Sequence, residues 1–281
     1  MVVIFVVVGY GLVFYIKLDK PVFFQHYFDQ GVYVDSDYYH GNSFNLGYIT
    51  DAYDDRVVID IGFPEEPELN IQASEYGDIN SFNWGSEQNN TPGDIYGRYS
   101  VRSVYCKIID LPEGKDLDGV VLTQANILFS DSSEMTVDIG EIHLFEHMFG
   151  ESPLKDVSSS VSSDRTGKTS YKILGGLTVT AIESPLTEKF KDRIQWEVNG
   201  GNPYTAVGMT FKDGSLLNVT TKISPPDDII SEYTLFNIQP KITFTDNGGK
   251  CYNQRIYSVN SIYHNYSFMN LYRYIKAREV F

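Results

Sequence analysis

Cysteine is almost missing from this chain: Cys106 and Cys251 are the only two in 281 residues. That excludes a disulfide framework and a four-cysteine zinc site, and leaves either one long-range bridge or two separate thiols of the kind that fill small core spaces. Positive charge is also scarce. Lysine and arginine total 22 against 37 acidic residues, a net charge of -15, and a surface of that sign repels phosphate backbones, so nucleic acid is not an expected partner. The G-x-S-x-G elbow, the G-x-x-x-x-G-K-[ST] phosphate loop and G-x-G-x-x-G are all missing, which removes the usual anchors of hydrolase, nucleotide and dinucleotide chemistry. Helical periodicity is nearly absent after residue 16, apart from a short stretch from Pro185 to Asp192.

One long apolar run is present. Met1 to Ile16 reads MVVIFVVVGYGLVFYI without a charge, and Lys17, Asp19 and Lys20 follow it. As a helix it would cover roughly 24 Å, slightly short of the usual thickness of a bilayer core. With no basic region before it and no A-x-A-like cleavage site, it reads as a single-pass anchor over residues 1–18 rather than a removed leader; a buried hairpin turning at Gly9-Tyr10-Gly11 is the alternative. Lys17 and Lys20 would favour a cytoplasmic body by the positive-inside rule, yet long domains translocate regardless of flanking charge. The expectation is a cell-membrane protein with the bulk of the chain extracytoplasmic.

Aromatic residues make up 14% of the chain, with 21 Tyr and 17 Phe, enough to build packed cores. Short runs rich in β-branched and aromatic residues recur at Val57 to Phe63, Val101 to Ile109, Val120 to Phe129 and Thr136 to Phe145, separated by Gly, Pro, Asn and Asp. Ile194, Trp196 and Val198 alternate with polar residues, and Thr243 to Tyr252 reads as a hairpin around Asp246-Asn247-Gly248-Gly249. Between Glu151 and Ser170 the sequence ESPLKDVSSSVSSDRTGKTS has a linker composition. The expected fold is all-β: two antiparallel β-sandwich domains, jelly-roll-like over 19–150 and immunoglobulin-like over 171–281, joined by a Ser-rich linker at 151–170.

Three groups of residues could carry chemistry. Asp29, Asp35, Asp37, Asp51, Asp54, Asp55 and Asp60 lie close together in sequence, and loop carboxylates are what calcium needs; Asp35, Asp37 and Asp55 are the expected ligands of a structural calcium, the only cofactor anticipated. The same residues also suit β-turns, because Asp bonds its own backbone. Trp84, flanked by Asn83 and Asn89, offers a flat apolar face beside amides, the combination with which a glycan-binding surface stacks and hydrogen-bonds a sugar.

The third group is His143-Leu144-Phe145-Glu146-His147, an H-x-x-E-H pattern. HLFEHMFG, from His143 to Gly150, resembles the zinc-binding helix of insulinase-type peptidases. The resemblance implies that His143 and His147 bind zinc and Glu146 acts as general base. It covers eight residues, and the nearest candidate for a third ligand is Glu232. The approach Thr136 to Ile142 alternates as a strand does, with a change of phase at Gly140 that predicts a bulge. On a strand, residues four apart stand about 13 Å from each other, too far to share one ion without distortion. The reading that results is a membrane-anchored extracytoplasmic protein that acts by binding a protein or glycan partner, with a carbohydrate-binding module and a zinc metallopeptidase as alternatives.

Overall fold

The computed structural model describes residues 17–33, 42–75, 93–111, 115–147, 152–162, 164–256, 259–261 and 265–278. The apolar segment Met1 to Ile16 lies outside them, and no helix among the described residues is long and apolar enough to cross a membrane.

The chain first lays down β1 (Val22–Phe23), β2 (His26–Val32), β3 (Ser43–Asp51), β4 (Val58–Gly62), β5 (Asn70–Ser74), β6 (Asp94–Tyr96), β7 (Tyr99–Asp110), β8 (Val121–Phe129) and β9 (Glu134–Glu146). It continues through β10 (Leu154–Val161), β11 (Thr166–Ile173), β12 (Leu177–Glu183), α1 (Pro185–Lys189), β13 (Ile194–Val198), β14 (Thr210–Phe211) and β15 (Leu216–Ile223). The remainder is α2 (Ile229–Glu232), β16 (Leu235–Ile238), β17 (Lys241–Asp246), β18 (Cys251–Arg255), β19 (Val259–Ser261) and α3 (Phe268–Arg278). The four strand runs read from the first half, the 194–198 strand and the 243–252 hairpin all form. Cys106 is a buried thiol in β7 and Cys251 an exposed one, and both are free.

These strands make four sheets stacked as two sandwiches. The first pairs the sheet β1-β3-β7-β5, with β6 on β7, against β19-β16-β2-β9-β8-β4; the second pairs β10-β11-β15-β13 against β14-β12-β17-β18. Two features depart from the sequence reading. β2 runs parallel to both β9 and β16, so the first sandwich is not the all-antiparallel arrangement of a jelly roll. The Ser-rich stretch is not a linker but the β10–β11 hairpin, in register from Leu154↔Ile173 to Val161↔Gly167. Serine suffices there because every residue from Lys155 to Val161 faces solvent, and Ser159 Oγ lies 3.3 Å from Thr169 Oγ1 across the pair.

The segment 171–281 does not form one domain by itself. After β15 the chain returns to the first sandwich, where β16 adds to β2 and Tyr233, Leu235, Leu271, Tyr274 and Ile275 join the core of Phe24, Leu46, Ile142 and their neighbours. Helix α3 is held by period: Leu271, Tyr274 and Ile275 share its buried face. Tyr274 lies 5.2 Å from Phe24 and 5.9 Å from Tyr233, ring to ring, and Tyr266 stacks on Tyr233 at 5.3 Å.

Alternation in β2 divides its side chains between two buried faces. Phe28 and Val32 point into the first core, while Tyr27 points out toward the second sandwich and meets Phe190 at 4.5 Å. Phe236 and Ile238 of β16 meet Leu186, Ile194 and Ile223 there. Charges ring this junction: Lys189 Nζ donates to Glu141 Oε1 at 2.5 Å, and Arg255 sits 4.1 Å over the Phe145 ring and 3.8 Å from buried Asp29. Burial raises the pKa of Asp29, against the opposing pull of the Gln239 N–H that it accepts at 2.8 Å.

The expected bulge is present at Gly140. Between Leu122↔Ile142 and Gln124↔Asp138 strand β9 carries two more residues than β8, and Gly140 takes φ +93°. A Cβ there would collide with the His26 carbonyl oxygen, so only glycine fits. His26 exploits the bulge: its buried ring places Nδ1 3.2 Å from the Ile139 carbonyl of one sheet, and Nε2 accepts the Gly47 N–H of the other at 2.9 Å. These two contacts assign a neutral ring with the proton on Nδ1. Burial pushes its pKa down from 6.5 to about 4. The unfolded chain therefore binds this proton more readily, and the stability that His26 contributes is full above pH 6.5 and lost as pH falls toward 4. We expect denaturant titrations to show a loss of about 3 kcal/mol across that window from this one group, on top of the carboxylates. His26→Gln, which cannot titrate, should flatten the slope; equal slopes for both proteins would contradict the assignment.

Candidate functional site

The H-x-x-E-H residues lie along a strand. Buried Ile142 and Leu144 alternate with Glu141 and His143, and β9 is hydrogen-bonded to β2 on one side and β8 on the other, so its backbone is committed to two ladders. Where the resemblance to insulinase-type peptidases implies a helix, His143 to Glu146 are strand, and residues 148–150 lie outside the described residues. His143 instead lies 3.4 Å from Glu141, while His147 stacks on Tyr33 at 4.3 Å, just past the end of the strand; Glu146 is exposed. The Lys189 ammonium and His143 outweigh the burial of Glu141 and hold its carboxyl below the usual range.

Of the expected calcium ligands, Asp35 and Asp37 lie outside the described residues, as do Trp84, Asn83 and Asn89 of the sugar-binding reading. Asp55 is described and exposed. Its neighbours are engaged by arginines rather than poised around an ion: Asp51 Oδ2 accepts from Arg98 Nε at 2.9 Å, and Asp54 takes both Nε and a terminal nitrogen of Arg56 at 2.9 and 2.8 Å. Burial works against ionisation of Asp54, but the bonds from Arg56 and Thr50 hold its pKa at about 2. Among the described residues no three His, Cys, Asp or Glu side chains are grouped to hold a metal.

What the aspartates build is a braced turn at one end of the first sandwich. Beneath it Arg102, 2% exposed, donates to the carbonyls of Asp54 and Arg56, the latter at 2.6 Å. Glu75 accepts the Tyr48 hydroxyl at 2.6 Å and the Val58 N–H, and its other oxygen lies 3.8 Å from Arg102. Burial raises the pKa of Glu75. The adjoining turn is tied in by the Ala52 N–H to Arg98 carbonyl bond at 2.7 Å and by Phe268 of α3, which lies against Gly97 and stacks on Tyr99 at 5.3 Å. On this base stand Tyr53, 84% exposed, Ile95 at 59% and Met269 at 53%. Large apolar side chains held in water around one braced turn are the ordinary makings of a contact surface. Sequence reading saw the aspartates but not their partners: Arg98 and Arg102 lie 46 to 48 residues away from the groups they bind.

No family model matches this chain, and no curated protein does. Two solved structures are similar in part: the D00-D0 domain of intimin, at 8% identity over 86% of this chain and all of that one with a TM-score of 0.26, and the human desmocollin-1 ectodomain, at 11% identity over 71% of this chain and 32% of that one with a TM-score of 0.21. Likeness at that level carries no argument. The class of the protein, an all-β chain of two packed sandwiches, rests on its own strands.

Arg102→Met leaves the Glu75 carboxyl buried without its cation, and we expect it to cost about 3 kcal/mol in chemical denaturation. Adding Glu75→Gln should recover part of that loss. A neutral single variant would mean that the turn does not depend on the buried pair.

Proposed function

We propose that the chain is an interaction protein of the cell surface, held to the membrane by Met1 to Ile16 with both sandwiches outside. The observation that carries the binding reading is the braced turn bearing Tyr53, Ile95 and Met269. Buried charge holds the backbone of this turn while apolar side chains stay in water, an arrangement that contributes little to the core and suits a preformed contact. The anchor rests on the uncharged apolar run from Met1 to Ile16, which as a helix is slightly short of a bilayer core.

The two cysteines supply a test of sidedness, because Cys106 is buried and Cys251 exposed. A membrane-impermeant maleimide added to intact cells should label the protein, and Cys251→Ser should abolish the label; labelling only after lysis would place the body in the cytoplasm. For binding, a photo-crosslinking residue at position 53 should give a discrete heavier adduct on intact cells. Absence of an adduct at 53, 95 and 269 alike would overturn the interaction reading.

A further inference from the structure

We infer that the outer face of the β10-β11-β15-β13 sheet is a docking surface for an acidic polysaccharide, a partner class that rests on the reading of this chain as a binding protein. Register fixes which side chains share that face. Leu154, Tyr171, Ile173, Leu217 and Val219 are buried, so their strand neighbours point outward. Paired outward positions are Lys155 with Lys172, Ser158 with Ser170, Ser160 with Lys168, Thr166 with Lys222, Ser170 with Asn218 and Lys168 with Thr220. Lys155, Lys168, Lys172 and Lys222 are all exposed. Among the described residues Glu197 on the far strand, opposite Thr220, is the carboxylate at an outward register position; exposed Asp156 follows Lys155 on the edge strand, and Asp164 flanks Lys222 from the hairpin turn.

In a chain of net charge -15, four lysines on one sheet face form a local reversal of sign. Lys155 and Lys172 stand directly opposite each other across the ladder, an arrangement that repels and destabilises. Nothing in the core requires it, and a bound anion would turn the repulsion into attraction. The acidic remainder of the molecule is screened beyond about 8 Å at physiological ionic strength, so the face acts through its own charge.

The character of the face selects among polyanions. It offers hydroxyls of Ser158, Ser160, Ser170, Thr166 and Thr220 beside the lysines, with exposed Leu216 opposite Lys172, and its outward strand positions carry no aromatic or arginine, the residues on which protein interfaces concentrate their energy; exposed Arg165 in the hairpin turn adds positive charge at the rim. It also lacks the aromatic platform that single-stranded nucleic acids stack on. Lysine as a point charge, with hydroxyl donors and acceptors between, matches sulfate or carboxylate groups interspersed with sugar hydroxyls. The footprint is on the order of 15 by 20 Å; a short flexible acidic glycan fits within it, whereas a stiff duplex would run on over acidic surface.

The test uses the full chain in detergent with four probes: heparin, polygalacturonate, poly-glutamate and duplex DNA. Heparin or polygalacturonate should bind, with affinity falling as salt rises at a log-log slope near -3, as release of counter-ions by about four lysines requires. Lys155→Gln with Lys172→Gln should weaken binding at least tenfold, lower the slope by about 1.5, and leave the thermal midpoint unchanged or raised. Lys250→Gln, on the opposite sheet, should change nothing. Preference for poly-glutamate or DNA, or equal binding by the double variant, overturns the inference. No binding to any probe does so as well, and leaves the interaction reading standing if the adduct at position 53 still forms.

Discussion

The first sandwich cannot close its core with its own first nine strands. Phe24, Phe28 and Leu46 face a space filled by Tyr233 and Leu235 from the middle of the second half and by Leu271, Tyr274 and Ile275 from the C-terminal helix. Each buried aromatic or aliphatic side chain contributes about 1.5 to 3 kcal/mol, so the returning segment accounts for a share of stability comparable to the whole margin of a folded domain. The chain must leave, build most of the second sandwich, come back as β16, leave again for β17 and β18, and return as β19 and α3. Neither sandwich is made of contiguous sequence, and the folding of one is tied to that of the other.

This weaving also accounts for the distribution of wet and dry surface. β2, β9 and β16 are covered on both faces, by their own core on one side and by Phe190, Leu186 and Ile194 on the other. The polar members of that second face, Asp29, Glu141 and His143, are accordingly matched with Arg255 and Lys189. Among the surfaces left in water are the braced turn at one end of the first sandwich and the lysine-rich outer sheet of the second.

Strand content was legible because β-branched and aromatic runs punctuated by Gly, Asn and Asp leave little alternative, and even the bulge at Gly140 announced itself as a break in alternation. The same alternation places His143 to Glu146 on a strand, with His147 just past its end, and in that extended backbone the H-x-x-E-H spacing loses its meaning for a single ion. The β10–β11 hairpin was not legible. Serine is a weak strand former, and what holds it here is the ladder to β11 and the hydroxyl contact at Thr169, neither visible in local composition. The return of β16 to β2 pairs Leu235 with His26, and such non-local pairing leaves no trace in a window of residues. Of the aspartates read as turn formers or calcium ligands, Asp51 and Asp54 form turns, accepting the Tyr53 and Arg56 N–H groups at 3.1 Å, and also pair with arginines; of these, Arg98 is a partner that only three-dimensional proximity reveals.

Native-state hydrogen exchange tests the central claim of one interwoven unit most directly. In peptides from β7 of the first sandwich and β15 of the second, Tyr274→Ala should lower the opening free energy by the same amount, about 3 kcal/mol, because both strands exchange through one global unfolding. A loss confined to β7, with β15 protected as before, would contradict the account and make the second sandwich an independent domain.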